Sequence, residues 1–145
     1  MTYSLAITRP DTAYTTKTLA KSLQNPGPDH HMAADRCLDY LYSTWFHALE
    51  LESMVPTKPV FAAASNAVYA DNLTTCQSTK GFLFQLFGGA IDWQSKKQAI
   101  VTTLTTKAKL LALSHVLAWL LWWGRFFNEL DLDINQDLTV NYNNI

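Results

Sequence analysis

Few side chains in this sequence have the type and spacing that chemistry requires. His30 and His31 suggest a metal, but adjacent residues on a helix point about 100° apart and no partner stands at i+4, so they read as surface residues. His115 lies alone in an apolar stretch and reads as a partly buried structural residue, not a general base. Ser65, Ser78 and Ser114 lack a histidine and carboxylate at a spacing that would certify a nucleophile. Cys37 and Cys76 are far apart without a second pair of ligands, which indicates plain thiols and neither a zinc site nor a disulfide framework. Lys96 and Lys97 are the strongest candidates for contact with a nucleic-acid backbone, because ammonium groups neutralise phosphates; the competing reading is a solvated loop.

The elements that must position these residues are legible from apolar periodicity. Residues 105–130 place Leu110, Leu113, Leu117, Leu120, Leu121, Trp123 and Phe127 at helical spacing and hold three of the five tryptophans, which predicts a long, deeply buried helix with the chain wrapped around it. Its uninterrupted apolar part, 116–123, is shorter than the roughly 18 residues a bilayer crossing needs, so a core helix and no membrane segment is expected.

Upstream, Pro10 and Asp11 suit the first turn of a helix running to about residue 24, and Asn25-Pro26-Gly27-Pro28-Asp29 breaks it, with Asp29 suited to cap the next. The second helix, about 28–44, stacks Ala34, Leu38 and Leu41 on one face beside Cys37. Residues 45–51 and 60–69 are strand-like, and 54–59 between them reads as a linker. Phe82, Phe84 and Leu86 alternate up to a turn at Gly88-Gly89, after which Ile91 and Trp93 resume, which predicts a β-hairpin. Leu138, Val140 and Tyr142 form a last short strand, and the final β-α-β step implies a crossover to a parallel strand.

The expected architecture is therefore α/β: a helical hairpin over 1–53, a linker over 54–59, and over 60–145 an incomplete mixed sheet of order β-β-β-α-β packed on one long helix. A hydrophobic content of 48% is globular, and a formal net charge of -1 gives no general electrostatic case for a nucleic-acid or acidic-lipid binder. The N-terminus lacks a basic segment followed by a long apolar one, so an intracellular address is expected.

Three blocks, in order, carry a resemblance. The first joins Thr8-Arg9-Pro10-Asp11-Thr12-Ala13, Asn25-Pro26-Gly27-Pro28-Asp29-His30 and Ala33-Ala34-Asp35-Arg36-Cys37-Leu38-Asp39-Tyr40-Leu41-Tyr42. The second runs from Ser65 through Gly81-Phe82 to Phe87-Gly88-Gly89-Ala90-Ile91-Asp92-Trp93 and Ser95-Lys96-Lys97-Gln98. The third runs from Val101-Thr102-Thr103 to Leu110-Leu111-Ala112-Leu113-Ser114-His115 and Trp122-Trp123. Together they resemble the Pol polyprotein of copia-type LTR retrotransposons, where the reverse transcriptase tail meets the ribonuclease H domain.

The resemblance implies a ribonuclease H-like sheet over the second part of the chain. In that family the first strand, the first helix and the fourth strand each supply a carboxylate, and together these hold two magnesium ions that promote cleavage of RNA in an RNA–DNA hybrid. The matching positions here are Asn66 in Ser65-Asn66-Ala67, Lys109 with Lys107 in place of its companion, and Asn143 after Tyr142. None keeps a negative charge. The Asp-to-Asn, Glu-to-Lys and Cys-to-Tyr departures are each reachable by one G-to-A change, as expected of a silenced, mutated repeat.

What the resemblance implies is a degenerate fragment without catalytic activity and without a cofactor. It starts after the polymerase palm and stops before the remaining ribonuclease H elements. A residual magnesium-dependent ribonuclease H would have to use Asp71 or Asp92, each of which reads more readily as a solvated turn residue. The other alternative is a non-catalytic module that holds a hybrid weakly, or associates with itself or another protein through uncovered apolar surface.

Overall fold

The structure is a computed structural model, and it describes residues 7–51, 60–69, 77–99, 104–132, 134 and 139–142. The chain divides into two compact units, Met1–Leu49 and Glu50–Ile145. The linker expected at 54–59 lies outside the described residues.

The first unit is a helical hairpin. A 3-10 turn over Pro10–Thr12 leads into α1 (Ala13–Ala20), and α2 spans Pro28–Ser43. Asp29 is not the cap of α2. Gly27 is, and its N–H donates to His30 Nδ1 at 3.0 Å, while Pro28 takes the first helical position and Asp29 sits in the first turn. Cys37, expected beside the apolar face, is instead its buried centre, and Leu38 is exposed.

A buried arginine ties the hairpin together. Arg9 pairs with Asp11 at 2.8 Å and donates to the Thr44 carbonyl at 3.0 Å and to Thr44 Oγ1 at 2.7 Å. The Tyr40 hydroxyl donates to Asp11 at 2.7 Å, and the guanidinium lies 5.4 Å from the Tyr40 ring centroid. Asp11 therefore serves chiefly as an anchor for Arg9, a role its position before a helix did not reveal.

Residues 45–51 form no strand. Trp45 and Phe46 stay exposed, because among the described residues their apolar alternation gains no partner to ladder with.

The second unit is a four-stranded sheet with one helix. Strand β1 (Phe61–Val68) pairs antiparallel with β2 (Thr79–Leu86), β2 pairs antiparallel with β3 (Gly89–Lys97), and β4 (Thr139–Tyr142) lies parallel to β1. The strand order is β3-β2-β1-β4, and α3 (Thr105–Glu129) makes the crossover. The expected β-β-β-α-β order is present.

The hairpin turn is one residue earlier than the glycine pair suggested. Phe87 (φ 50) and Gly88 (φ 79) occupy it, both with the positive φ that a two-residue turn requires. Gly89 opens β3, where a Cβ would collide with the backbone carbonyl of Glu50. Just after it the ladder slips: Gln85 faces Ala90 but Phe84 faces Asp92, so Ile91 is an extra residue in a β-bulge.

Only one stripe of α3 is covered. Ala108, Ala112, Val116 and Leu120 recur at about one helical turn, Phe127 follows two turns later, and all are buried. Val116, Leu120 and Phe127 meet Phe61, Ala63, Phe82 and Phe84, and Ala108 and Ala112 meet Ala67. The deep burial expected for α3 is therefore corrected: a single sheet masks one side of a helix, and Leu110, Leu117, Leu121 and Trp122 are exposed. By length and composition alone, α3 is also apolar enough to cross a membrane, a test that the shorter run 116–123 does not capture.

Two stability measurements check this account. Phe84 is fully buried and Leu121 is 62% exposed, so Phe84→Ala costs about 3–5 kcal/mol in urea denaturation while Leu121→Ala stays within about 0.5 kcal/mol. Arg9 holds the Asp11 carboxyl down from its ordinary 3.8 to about 2, so the contribution of Asp11 is complete above the unfolded value and is lost as pH falls through the folded one. With the Asp11 side chain 36% accessible, screening reduces that contribution to about 1 kcal/mol, and Asp11→Asn should flatten the acid limb of the unfolding curve between those two values.

Candidate functional site

Alternation along β1 assigns the faces of the sheet. Phe61, Ala63, Ser65 and Ala67 are covered on the side of α3, and Asn66 between the last two is exposed. Because β4 runs parallel to β1 with Ser65 beside Tyr142, the C-terminal ends of both strands come together. The Ala67, Ala108 and Ala112 contact brings the first turns of α3 to that same end.

Asn66 and Lys109 thus lie toward one end of the unit but not on one face: Asn66 is an exposed strand position on the side away from α3, and Lys109 is half-buried in the second turn of that helix. Asn143 and Asp71 lie outside the described residues, as does Cys76. Among the described residues no group of three or more His, Cys, Asp or Glu side chains is gathered to hold a metal ion.

Asp92 stands opposite Phe84 at the bulge. Burial pushes its carboxyl above the ordinary carboxylate value, opposed by a hydrogen bond from the Trp93 backbone N–H. It is a partly desolvated single carboxylate.

The two lysines predicted to act together are separated. Lys96 pairs across the strands with Lys80, and Lys97 with Thr79, so adjacent lysines on β3 project to opposite faces. Lys80 shares the row of Ala67, which meets α3, so Lys80 and Lys96 are on the helix side. Sequence reading missed Lys80, because its partner is set by a strand register that no local spacing reveals.

His115 completes this arrangement from α3. Its ring lies 5.9 Å from Phe82 and 6.4 Å from Trp119, and its Nδ1 is buried without a hydrogen-bond partner among the described residues. Burial first, and then the charges of Lys80 and Lys96, hold it below the ordinary imidazole value. Lys80 is likewise lowered, by burial and then by Lys96.

Buried Gln98 fixes the approach of helix to sheet here. Its backbone N–H donates to the Ser78 carbonyl at 2.8 Å and its side-chain Nε2 donates to the Ala108 carbonyl at 2.7 Å, joining the end of β3 to the start of α3.

Comparison with known proteins gives relatives over most of the chain. It is 34% identical over 130 residues to the retrovirus-related Pol polyprotein from transposon TNT 1-94 of Nicotiana tabacum, covering 90% of this chain and 10% of that protein. It is 29% identical over 141 residues to the corresponding polyprotein from transposon RE2 of Arabidopsis thaliana, covering 97% of this chain and 10% of that one. It is also 36% identical over 120 residues to secreted RxLR effector protein 161 of Plasmopara viticola, covering 83% of each chain. The chain thus spans only a tenth of the length of the polyproteins it matches. No family model and no solved structure matches it.

Replacing either lysine should release His115. In Lys80→Gln and in Lys96→Gln the imidazole titrates higher than in the parent chain, toward its ordinary value, whereas Lys97→Gln leaves it in place; proton NMR of the histidine ring signals reads all three.

Proposed function

The chain belongs to the copia-type retrotransposon Pol family, and on that premise we propose that it is a Pol-derived scaffold of ribonuclease H-like design that has lost hydrolytic activity. The observation that supports this is the donor set. Where β1 ends beside β4 and α3 begins, the family positions carry the amide of Asn66 and the ammonium of Lys109.

Magnesium is a hard cation that takes anionic oxygen ligands. An amide offers only a neutral carbonyl, and a cation in place of a carboxylate reverses the sign of the interaction. At about 4 Å and an effective dielectric near 20, each such reversal is worth on the order of several kcal/mol. The residues present therefore do not fit a divalent ion, and no hydrolytic step follows from them.

The relative from Plasmopara viticola, named a secreted effector and matched over 83% of its own length, supports a second reading: a chain of about this size that acts as an effector. The 145 residues contain no Arg-x-Leu-Arg run, so the feature in that protein's name is not one they share.

Incubation of the purified chain with a labelled RNA–DNA hybrid and magnesium separates the readings. The expected result is no cleavage above an EDTA control. Magnesium-dependent cleavage that disappears in Asn66→Ala or Lys109→Ala would overturn the loss of activity, and cleavage that disappears only in Asp92→Asn would assign it to the carboxylate at the bulge.

A further inference from the structure

We propose that the uncovered face of α3 is a seam for a second copy of this chain, packed antiparallel with its own α3 against the first.

Two stripes run along this helix. Ala108, Ala112, Val116 and Leu120 repeat every four residues and face the sheet. On the far side Lys107, Leu110, Ser114, Leu117, Leu121, Gly124 and Asn128 follow in alternating steps of three and four, the spacing that keeps one line of side chains turned toward another helix. All of them except half-buried Gly124 are exposed, Leu110 at 59% and Leu121 at 62%. Contact with the sheet gives no reason for leucine at three of those positions.

Charge selects the occupant and its direction. Lys107 opens the seam, Glu129 and Asp131 lie at its other end, and among the described residues none of the three has an ion-pair partner. A parallel second copy would set Lys107 against Lys107, Arg125 against Arg125 and Glu129 against Glu129, which is repulsive throughout. An antiparallel copy brings Lys107 of each chain to the acidic end of the other, and the two-fold symmetry makes that contact twice. In the register that does so, Leu117 meets Leu121 twice at the centre, Ser114 meets Gly124 where the backbones can approach closely, and Arg125 lays its stem over Leu111. Ser114 and Asn128 weaken the pair while fixing its register, so association belongs to higher concentrations than an unfolding titration uses. A bilayer, which the length and composition of α3 would otherwise suit, fits this face less well, because Asn128 and an acidic end would be carried to the lipid.

The seam does not rest on the proposed loss of hydrolysis, and it is read without any substrate. Sedimentation equilibrium of the full chain over a wide concentration range provides the test, with circular dichroism to establish that each variant folds. The parent chain fits a monomer–dimer equilibrium. Leu117→Glu and Leu121→Glu each raise its dissociation constant at least about tenfold, since each carboxylate enters the symmetric seam twice, while Trp45→Ser, at an exposed aromatic residue of the first unit, changes it by less than about twofold. Leu121 is the more exposed of the two leucines, so its variant keeps the test decisive if the Leu117 variant fails to fold. Lys107→Glu weakens the dimer about fivefold, and adding Glu129→Lys and Asp131→Lys to it restores the parent value to within about twofold. A parent chain that stays monomeric, or a dimer indifferent to Leu121→Glu, would overturn the seam. A charge-swapped chain that does not recover would overturn the antiparallel direction. Binding of the monomer to phosphatidylcholine vesicles that Leu121→Glu abolishes would give the face to a bilayer and overturn the second copy as its occupant.

Discussion

The second unit depends on one surface meeting another: a single stripe of α3 against the covered face of β1 and β2. The contact is graded. At the start of the helix it is made by alanines alone, Ala67 with Ala108 and Ala112, and further along by Phe61, Phe82, Phe84 and Phe127 around Val116 and Leu120. Small side chains let backbones approach closely and large ones hold them apart, so the helix start is drawn toward the sheet. Phe61 and Phe84 stack with ring centroids 5.9 Å apart and fill the wider end. Lys80, Lys96, Lys109 and His115 belong to the first half of that helix and the strand positions it faces, while Asn66 lies at the same end on the opposite face of the sheet.

Much of this was legible in the sequence, and what was not has a common cause. Long α3 and the alternation of Phe82, Phe84 and Leu86 announced themselves because each is a local period. The turn was displaced by one residue because Phe87 adopts a conformation that glycine usually marks. Residues 45–51 alternate as a strand would, but alternation needs a partner and none pairs with them among the described residues. The pairing of Lys80 with Lys96, and the separation of Lys96 from Lys97, follow from register between distant segments, which no single-strand pattern contains. The family positions proposed for Asn66 and Lys109 rest on the likeness alone, since an amide and a lysine carry no signature of such a site.

The two units use charge in opposite ways. In the first, buried Arg9 is fully employed by Asp11, Thr44 and the Tyr40 ring, an arrangement in which every polar partner is found. In the second, positive groups face each other and leave His115 Nδ1 unsatisfied. Buried polar groups that lack partners are costly.

The bulge between Phe84 and Gln85 decides which of these charges meet. Had β2 and β3 laddered without interruption from Gln85 and Ala90, every later residue of β3 would slide by one: Ser95 would stand opposite Lys80, and Lys96 would pass to the far side with Thr79. Ile91 therefore works as a phase shifter. The electrostatic pattern of the domain is written partly in an irregularity of its hydrogen bonding, so an insertion or deletion on either flank of that irregularity would rewire the surface without altering a single ionisable group.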